Sequence, residues 1–168
     1  MQLYLDTEFN GHGGELISMA MVSGNGGGWY CARQIAEPVD PWVAEHVIPK
    51  LGRNPLPPDD FRESFLHFVK QHENPEIICD WSADAEHFLR LLAGPDYASS
   101  IDYPCSVTIL KTPSGQPVSS DPHNALADAV ALMVWHMVNA ECGARFPNRF
   151  KRQLLVDAWN RRPDADAA

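Results

Sequence analysis

Leu3-Tyr4-Leu5-Asp6-Thr7-Glu8-Phe9 stands near the start of the chain, an apolar run that takes in two acids before it ends. Read as a strand over Gln2 to Glu8, it alternates faces, so Asp6 and Glu8 point to the same side about 7 Å apart. Two carboxylates sharing a face repel each other and resist desolvation, and a cation between them removes both penalties. Ligands that are all oxygen select a hard ion, Mg²⁺ or Mn²⁺. Taken alone, Asp-x-Glu also fits a strand that stops at Leu5 and runs into a wet loop.

The residues that follow favour the strand. The Gly-rich turn Asn10-Gly11-His12-Gly13-Gly14 leads into Glu15 to Val22, nearly all apolar and so a central strand. A second Gly-rich loop, Ser23 to Gly28, precedes a third strand over Trp29 to Arg33. Three early strands joined by short loops predict an antiparallel meander. Pro41 to Val47 fits a short helix ended by Pro49, and Asp60 to His72 places Phe61, Phe65, Leu66, Phe68 and Val69 at helical spacing. Ile77 to Trp81 reads as a short buried strand, and Ser82 as the N-cap of a helix running to about Ala93. Asp102 to Leu110 fits strand or helix equally, and Thr112 to Ser120 is a polar loop. Asn124 to about Cys142 is the clearest helix. Strands first, then helices alternating with strands, predict an α/β layer fold with a mixed sheet: antiparallel strands 1–3 plus parallel strands, flanked by helices.

At 168 residues the chain reads as one domain over 1–168, with a basic C-terminal helical tail over about 145–162. No run approaches the ~18 apolar residues of a membrane span, and the N-terminus lacks a basic start and meets acids at once, unlike a secretory signal. Cys31, Cys79, Cys105 and Cys142 are widely spaced and read as reduced residues of a cytoplasmic protein. The histidines show no zinc spacing. A net charge of −9 argues against bulk electrostatic coating of nucleic acid. It leaves room for an enzyme that acts on nucleic acid through bound ions and a local basic strip. Arg145, Arg149, Lys151, Arg152, Arg161 and Arg162, six of the 13 basic residues, form such a strip, which reads equally as a solvated helix face.

His123-Asn124-Ala125-Leu126-Ala127-Asp128 opens the last helix. With Asn124 as cap, Asp128 lies just past the first turn and His123 sits in the incoming loop, aimed independently. Asp84 lies at the first turn of the helix after the fourth strand, with Asp80 as its rival and Glu86 a weaker one. Acids at helix starts also have a plain dipole explanation, and a loop His is commonly ordinary.

The order of these elements resembles the DEDDh 3′→5′ exonucleases: Asp-x-Glu on a first strand, Asp at a mid-chain strand-to-helix junction, then His-x4-Asp. The resemblance spans roughly residues 2 to 140 and implies a ribonuclease H-like fold. Leu5 to Phe9 and His123 to Asp128 match the first and third motifs closely. The middle motif lacks the upstream Asn or His often found there. Asn124 occupies the position where the tyrosine subtype would carry Tyr. Glu15-Leu16-Ile17-Ser18 and His46-Val47-Ile48-Pro49-Lys50-Leu51 are similar to segments of the RNase AS-like exoribonucleases. That group degrades single-stranded RNA with a preference for adenylate tails, and its members tend to be homodimers.

The resemblance implies two divalent cations, Mg²⁺ or Mn²⁺, held by Asp6, Glu8, Asp84 and Asp128. Asp6, Glu8 and Asp128 would share one ion; Asp6, with Asp84 through water, would hold the other. Two such ions activate a water, neutralise phosphate charge and assist the departing 3′-oxygen. His123, as an imidazole, suits the proton taken from that water. Catalytic residues are therefore expected to be Asp6, Glu8, Asp84, His123 and Asp128. Backbone around Thr7 and Phe9 is expected to meet the terminal nucleotide, with Phe9 or Trp81 as a stacking face; core packing is the competing reading of both rings. Trp29, Trp42, Trp135 and Trp159 read as core or interface residues. Exonuclease action on single-stranded DNA or short oligonucleotides, an internally cutting metal-dependent nuclease, and an inactive nucleic-acid adaptor of the same fold are the alternatives.

Overall fold

The structure, a computed structural model, describes residues 1–36, 38–94 and 97–141. Five strands form one sheet: β1 (Gln2–Phe9), β2 (Leu16–Ser23), β3 (Gly28–Ala32), β4 (Glu76–Cys79) and β5 (Ser106–Ile109). Their order across the sheet is β3-β2-β1-β4-β5. β1, β2 and β3 pair antiparallel, as the short Gly-rich loops predict, while β4 pairs parallel to β1 and β5 parallel to β4. The helices are α1 (Pro41–His46), α2 (Pro58–Val69), α3 (Ser82–Leu92) and α4 (Ala125–Glu141), and a 3-10 turn over Ile48–Lys50 follows α1. The architecture is α/β, with a mixed sheet flanked by helices. Among the described residues no helix is long and apolar enough to cross a membrane.

β1 is the central strand and its alternation sorts the two layers. Leu3 and Leu5 face a core with Phe61, Phe65 and Phe68 of α2 and Phe88 of α3. Tyr4 faces the other way, with Ala20, Val22 and Ile78, onto Ala125, Ala129, Leu132 and Met133 of α4. By the same period, Asp6 and Glu8 continue the α4 face, and Thr7 and Phe9 the α3 face. β2 is buried at all eight positions, as its continuous apolar run requires.

Several boundaries differ from the sequence reading. Pro49 lies inside the 3-10 turn, so the chain after α1 tightens instead of leaving helical geometry. α2 starts at Pro58, whose fixed φ suits a first helical position, and ends at Val69. Ser82 is not the cap of α3. The boundary residue is Trp81, with no side-chain cap, and the Asp84 carboxylate reaches back to the Trp81 backbone N–H. Asp84 is the third helical residue, so it closes the acidic half of a capping box without Ser. The 102–110 stretch resolves to an edge strand, β5. Cys31 and Cys105 are half-buried and Cys79 buried, all as free thiols. Cys142, Trp159 and the basic 145–162 strip lie outside the described residues.

Candidate metal centre and its surroundings

β1 runs past β4 at its C-terminal end. The last parallel pairs are Leu3 with Ile77 and Tyr4 with Ile78, so Asp80 follows the end of β4 beside the level of Asp6. The chain then turns into α3, which brings Asp84 back to β1. From the opposite layer, α4 supplies Asp128. Asn124 caps that helix, its Oδ1 accepting from Ala127 N at 3.1 Å. The same side chain donates to the Lys50 carbonyl at 2.6 Å, tying α4 to the 3-10 turn.

The outcome is two carboxylate triads that share one member. Oxygens of Asp6, Asp80 and Asp84 all lie within 4.8 Å of one another, and so do those of Asp6, Glu8 and Asp128. Asp80 and Asp84, rivals in the sequence, stand in the same triad. Glu86 is exposed and paired with Arg90 at 2.5 Å, away from this group.

Each acid is held above its ordinary pKa. Burial raises Asp6 well above the usual carboxylate range, and Asp84, Asp128, Glu8 and Asp80 add repulsion. Glu8 is pushed up to about 8 by burial, then by Asp128 and Asp84, with Lys50 pulling the other way. Burial lifts Asp84 to about 7 against the opposing Thr7 hydroxyl. Asp128 is raised by burial against the Ser119 hydroxyl and the His123 backbone N–H, and Asp80 by burial against Thr112.

The supports differ between the two sides. The buried Thr7 hydroxyl donates to Asp84 Oδ1 at 2.6 Å, Thr112 donates to Asp80 Oδ2 at 3.3 Å, and His123 N donates to Asp128 Oδ2 at 2.9 Å. Among the described residues, no side-chain hydrogen bond or ion pair reaches the carboxylate of Asp6 or Glu8. The donor set is all oxygen, partly desolvated and lacking a cationic side chain in salt-bridge contact. That chemistry fits a hard divalent cation in each triad and does not fit a soft metal.

His123 adopts a left-handed backbone, φ 68°, which lets its N–H turn onto Asp128 while its ring leaves the helix axis. Lys50 pairs with Asp121 at 3.0 Å and donates to the Pro122 carbonyl, fixing the turn that carries His123. Phe9 packs its ring against His87 with centroids 5.3 Å apart, so it is partly committed to α3. Trp81 is 67% exposed. Core packing is therefore excluded for it, and it stands between Asp80 and Asp84 with its ring free for solvent. Trp29 and Trp135 pack in or against the two cores, but Trp42 does not: it is 49% exposed on α1.

Sequence reasoning missed the Thr7 hydroxyl. Its signal was alternation: a polar residue between two same-face acids must point to the opposite layer, where α3 arrives. It also missed Trp42 beside His123, which depends on how α1 folds back.

No known protein family matches the chain, and no curated protein matches it.

Proposed function

We propose that the chain is a divalent-metal-dependent 3′→5′ exoribonuclease of ribonuclease H-like fold, releasing nucleoside monophosphates from single-stranded RNA. One observation carries the reading: Asp6 belongs to both carboxylate triads, so a single central residue would bridge two cation positions. A pair of ions so held supplies an activated water and charge neutralisation at the scissile phosphate. Asp6, Glu8 and Asp128 would hold one, and Asp6, Asp84 and Asp80 the other, with Mg²⁺ or Mn²⁺ suited to both.

The remaining roles belong to the chain itself. Asp128 and the left-handed turn orient His123, whose imidazole takes the proton at one ring nitrogen. Thr7 orients Asp84 by donating its hydroxyl to one oxygen, beside the backbone N–H groups of Thr7 and Trp81, which leaves about one of the carboxylate's four lone-pair sites available. Trp81, exposed and lying in the chain between Asp80 and Asp84, would offer a face on which a terminal base stacks. The antiparallel β1-β2-β3 meander continued by parallel β4 and β5 suits a ribonuclease H-like fold. A homodimer with preference for adenylate-rich tails belongs to the same reading through the resemblance in Glu15–Ser18 and His46–Leu51, and a cytoplasmic location through the widely spaced cysteines.

The deciding assay uses 5′-labelled and 3′-labelled single-stranded RNA, poly(A) beside a mixed sequence, with a DNA control, in Mg²⁺ or EDTA. Mononucleotide release from the 3′ end in Mg²⁺ alone, lost in Asp6→Ala and Asp128→Ala, is the expected result. Internal fragments would assign an endonuclease, and no cleavage in Mg²⁺ or Mn²⁺ would overturn the enzyme reading.

A further inference from the structure

We infer that Trp42 is a positioning residue for His123, setting the plane in which the imidazole meets the carboxylates. This rests on the exoribonuclease reading, which takes His123 as the proton acceptor. Trp42 is 49% exposed while Trp29 is 6% exposed, so the core does not account for Trp42's placement. It meets His123 with ring centroids 5.0 Å apart and planes at 84°, an edge-to-face contact. Among the described residues, the His123 ring has no side-chain hydrogen bond, and Trp42 is its aromatic neighbour.

Trp42 is itself locked from two directions. His46, one helical turn on, stacks against it with centroids 4.6 Å apart and planes within 10°. The His46 Nδ1 also lies 2.9 Å from the Trp42 carbonyl. At the other end, Asp40 caps α1 by accepting from Trp42 N at 2.9 Å, and its own N–H donates to Asn10 Oδ1 at 2.8 Å. Asn10 follows β1 directly, in a turn so close that a Cβ on Gly14 would lie 1.8 Å from the Asn10 carbonyl oxygen. The strand carrying Asp6 and Glu8 therefore fixes Asn10, which fixes α1, which fixes Trp42, which borders His123. A proton acceptor displaced by about 1 Å loses on the order of 100-fold in rate, so such a chain of contacts has a kinetic consequence.

The test compares wild type, Trp42→Ala, Trp42→Phe, His123→Ala and the Trp42→Ala/His123→Ala double variant on single-stranded RNA with Mg²⁺. Trp42→Ala is expected to lower kcat by about 10- to 100-fold with KM within about twofold. Trp42→Phe, which keeps an aromatic neighbour, should recover most of that loss. The double variant should match His123→Ala, since Trp42 acts through it. A rise in KM at unchanged kcat, or further slowing in the His123→Ala background, would overturn the inference and assign Trp42 to base stacking. A second readout needs no activity: the His123 ring-proton resonances should move in Trp42→Ala as the indole ring current is lost. Unmoved resonances refute the positioning contact whatever the enzyme does. Moved resonances in a wild type that cleaves nothing refute the exoribonuclease reading alone.

Discussion

Replacing Asp84 with Asn should stabilise the metal-free protein, and the gain should grow with pH. Asp84 is 3% exposed and its carboxyl is raised from 3.8 to about 7. An acid whose folded-state pKa exceeds its unfolded value favours folding while protonated and opposes it as pH rises from the unfolded value through the folded one. For 3.8 against about 7, the accumulated penalty is about 2 kcal/mol at pH 5 and about 4 kcal/mol at pH 8. Asn removes the charge and keeps an oxygen for the Thr7 hydroxyl, at 2.6 Å in the native protein. Its NH₂ group does not accept, however, so one of the two backbone N–H bonds from Thr7 and Trp81 is lost, at about 1 kcal/mol. The net gain is about 3 kcal/mol at pH 8 and about 1 kcal/mol at pH 5. For a chain of this length that corresponds to a Tm rise of about 6–12 °C and about 2–4 °C respectively. Thermal unfolding in EDTA at the two pH values measures it. Saturating Mg²⁺ should narrow or invert the gap, because an ion held by Asp6, Asp80 and Asp84 stabilises the native protein more than the variant. A variant no more stable than wild type at pH 8 in EDTA, or a gain that does not shrink at pH 5, would refute the electrostatic account of the site.

Thr7→Val keeps the shape of a buried side chain and removes the donor to Asp84. The expected loss is about 1–3 kcal/mol by urea denaturation, larger at pH 8 than at pH 5 because the hydroxyl favours the ionised carboxylate. Asn124→Ala removes the α4 cap and the bond to the Lys50 carbonyl together; about 1–2 kcal/mol of stability and a clear fall in RNA hydrolysis should follow, read by thermal unfolding and the labelled-RNA assay. Tyr4→Phe is the control on the same strand face. It removes the contact between the Tyr4 hydroxyl and His136 Nδ1 at 3.0 Å, and should cost about 1 kcal/mol in thermal unfolding while leaving the Mg²⁺-induced Tm shift unchanged.

What the sequence made legible depended on whether one element alone determined the outcome. The apolar run Leu16–Ser23 and the Ala- and Leu-rich α4 are buried enough to announce themselves, and period-two alternation put Asp6 and Glu8 on one face before any packing was known. β5 was ambiguous because it is an edge strand with half-exposed residues, and its identity comes from pairing with β4, which lies about 30 residues earlier. The same reason governs the middle acid. The sequence reading preferred Asp84, at a helix start, to its rival Asp80; both converge on Asp6 once β4 stops short of the end of β1 and α3 folds back. Asp84 also caps α3 through the Trp81 N–H, so its two explanations, structural and metal-holding, describe one carboxylate with several lone pairs. Exchange to Asn separates them: capping alone predicts lower stability at every pH, whereas a charge held among other charges predicts higher stability that climbs with pH.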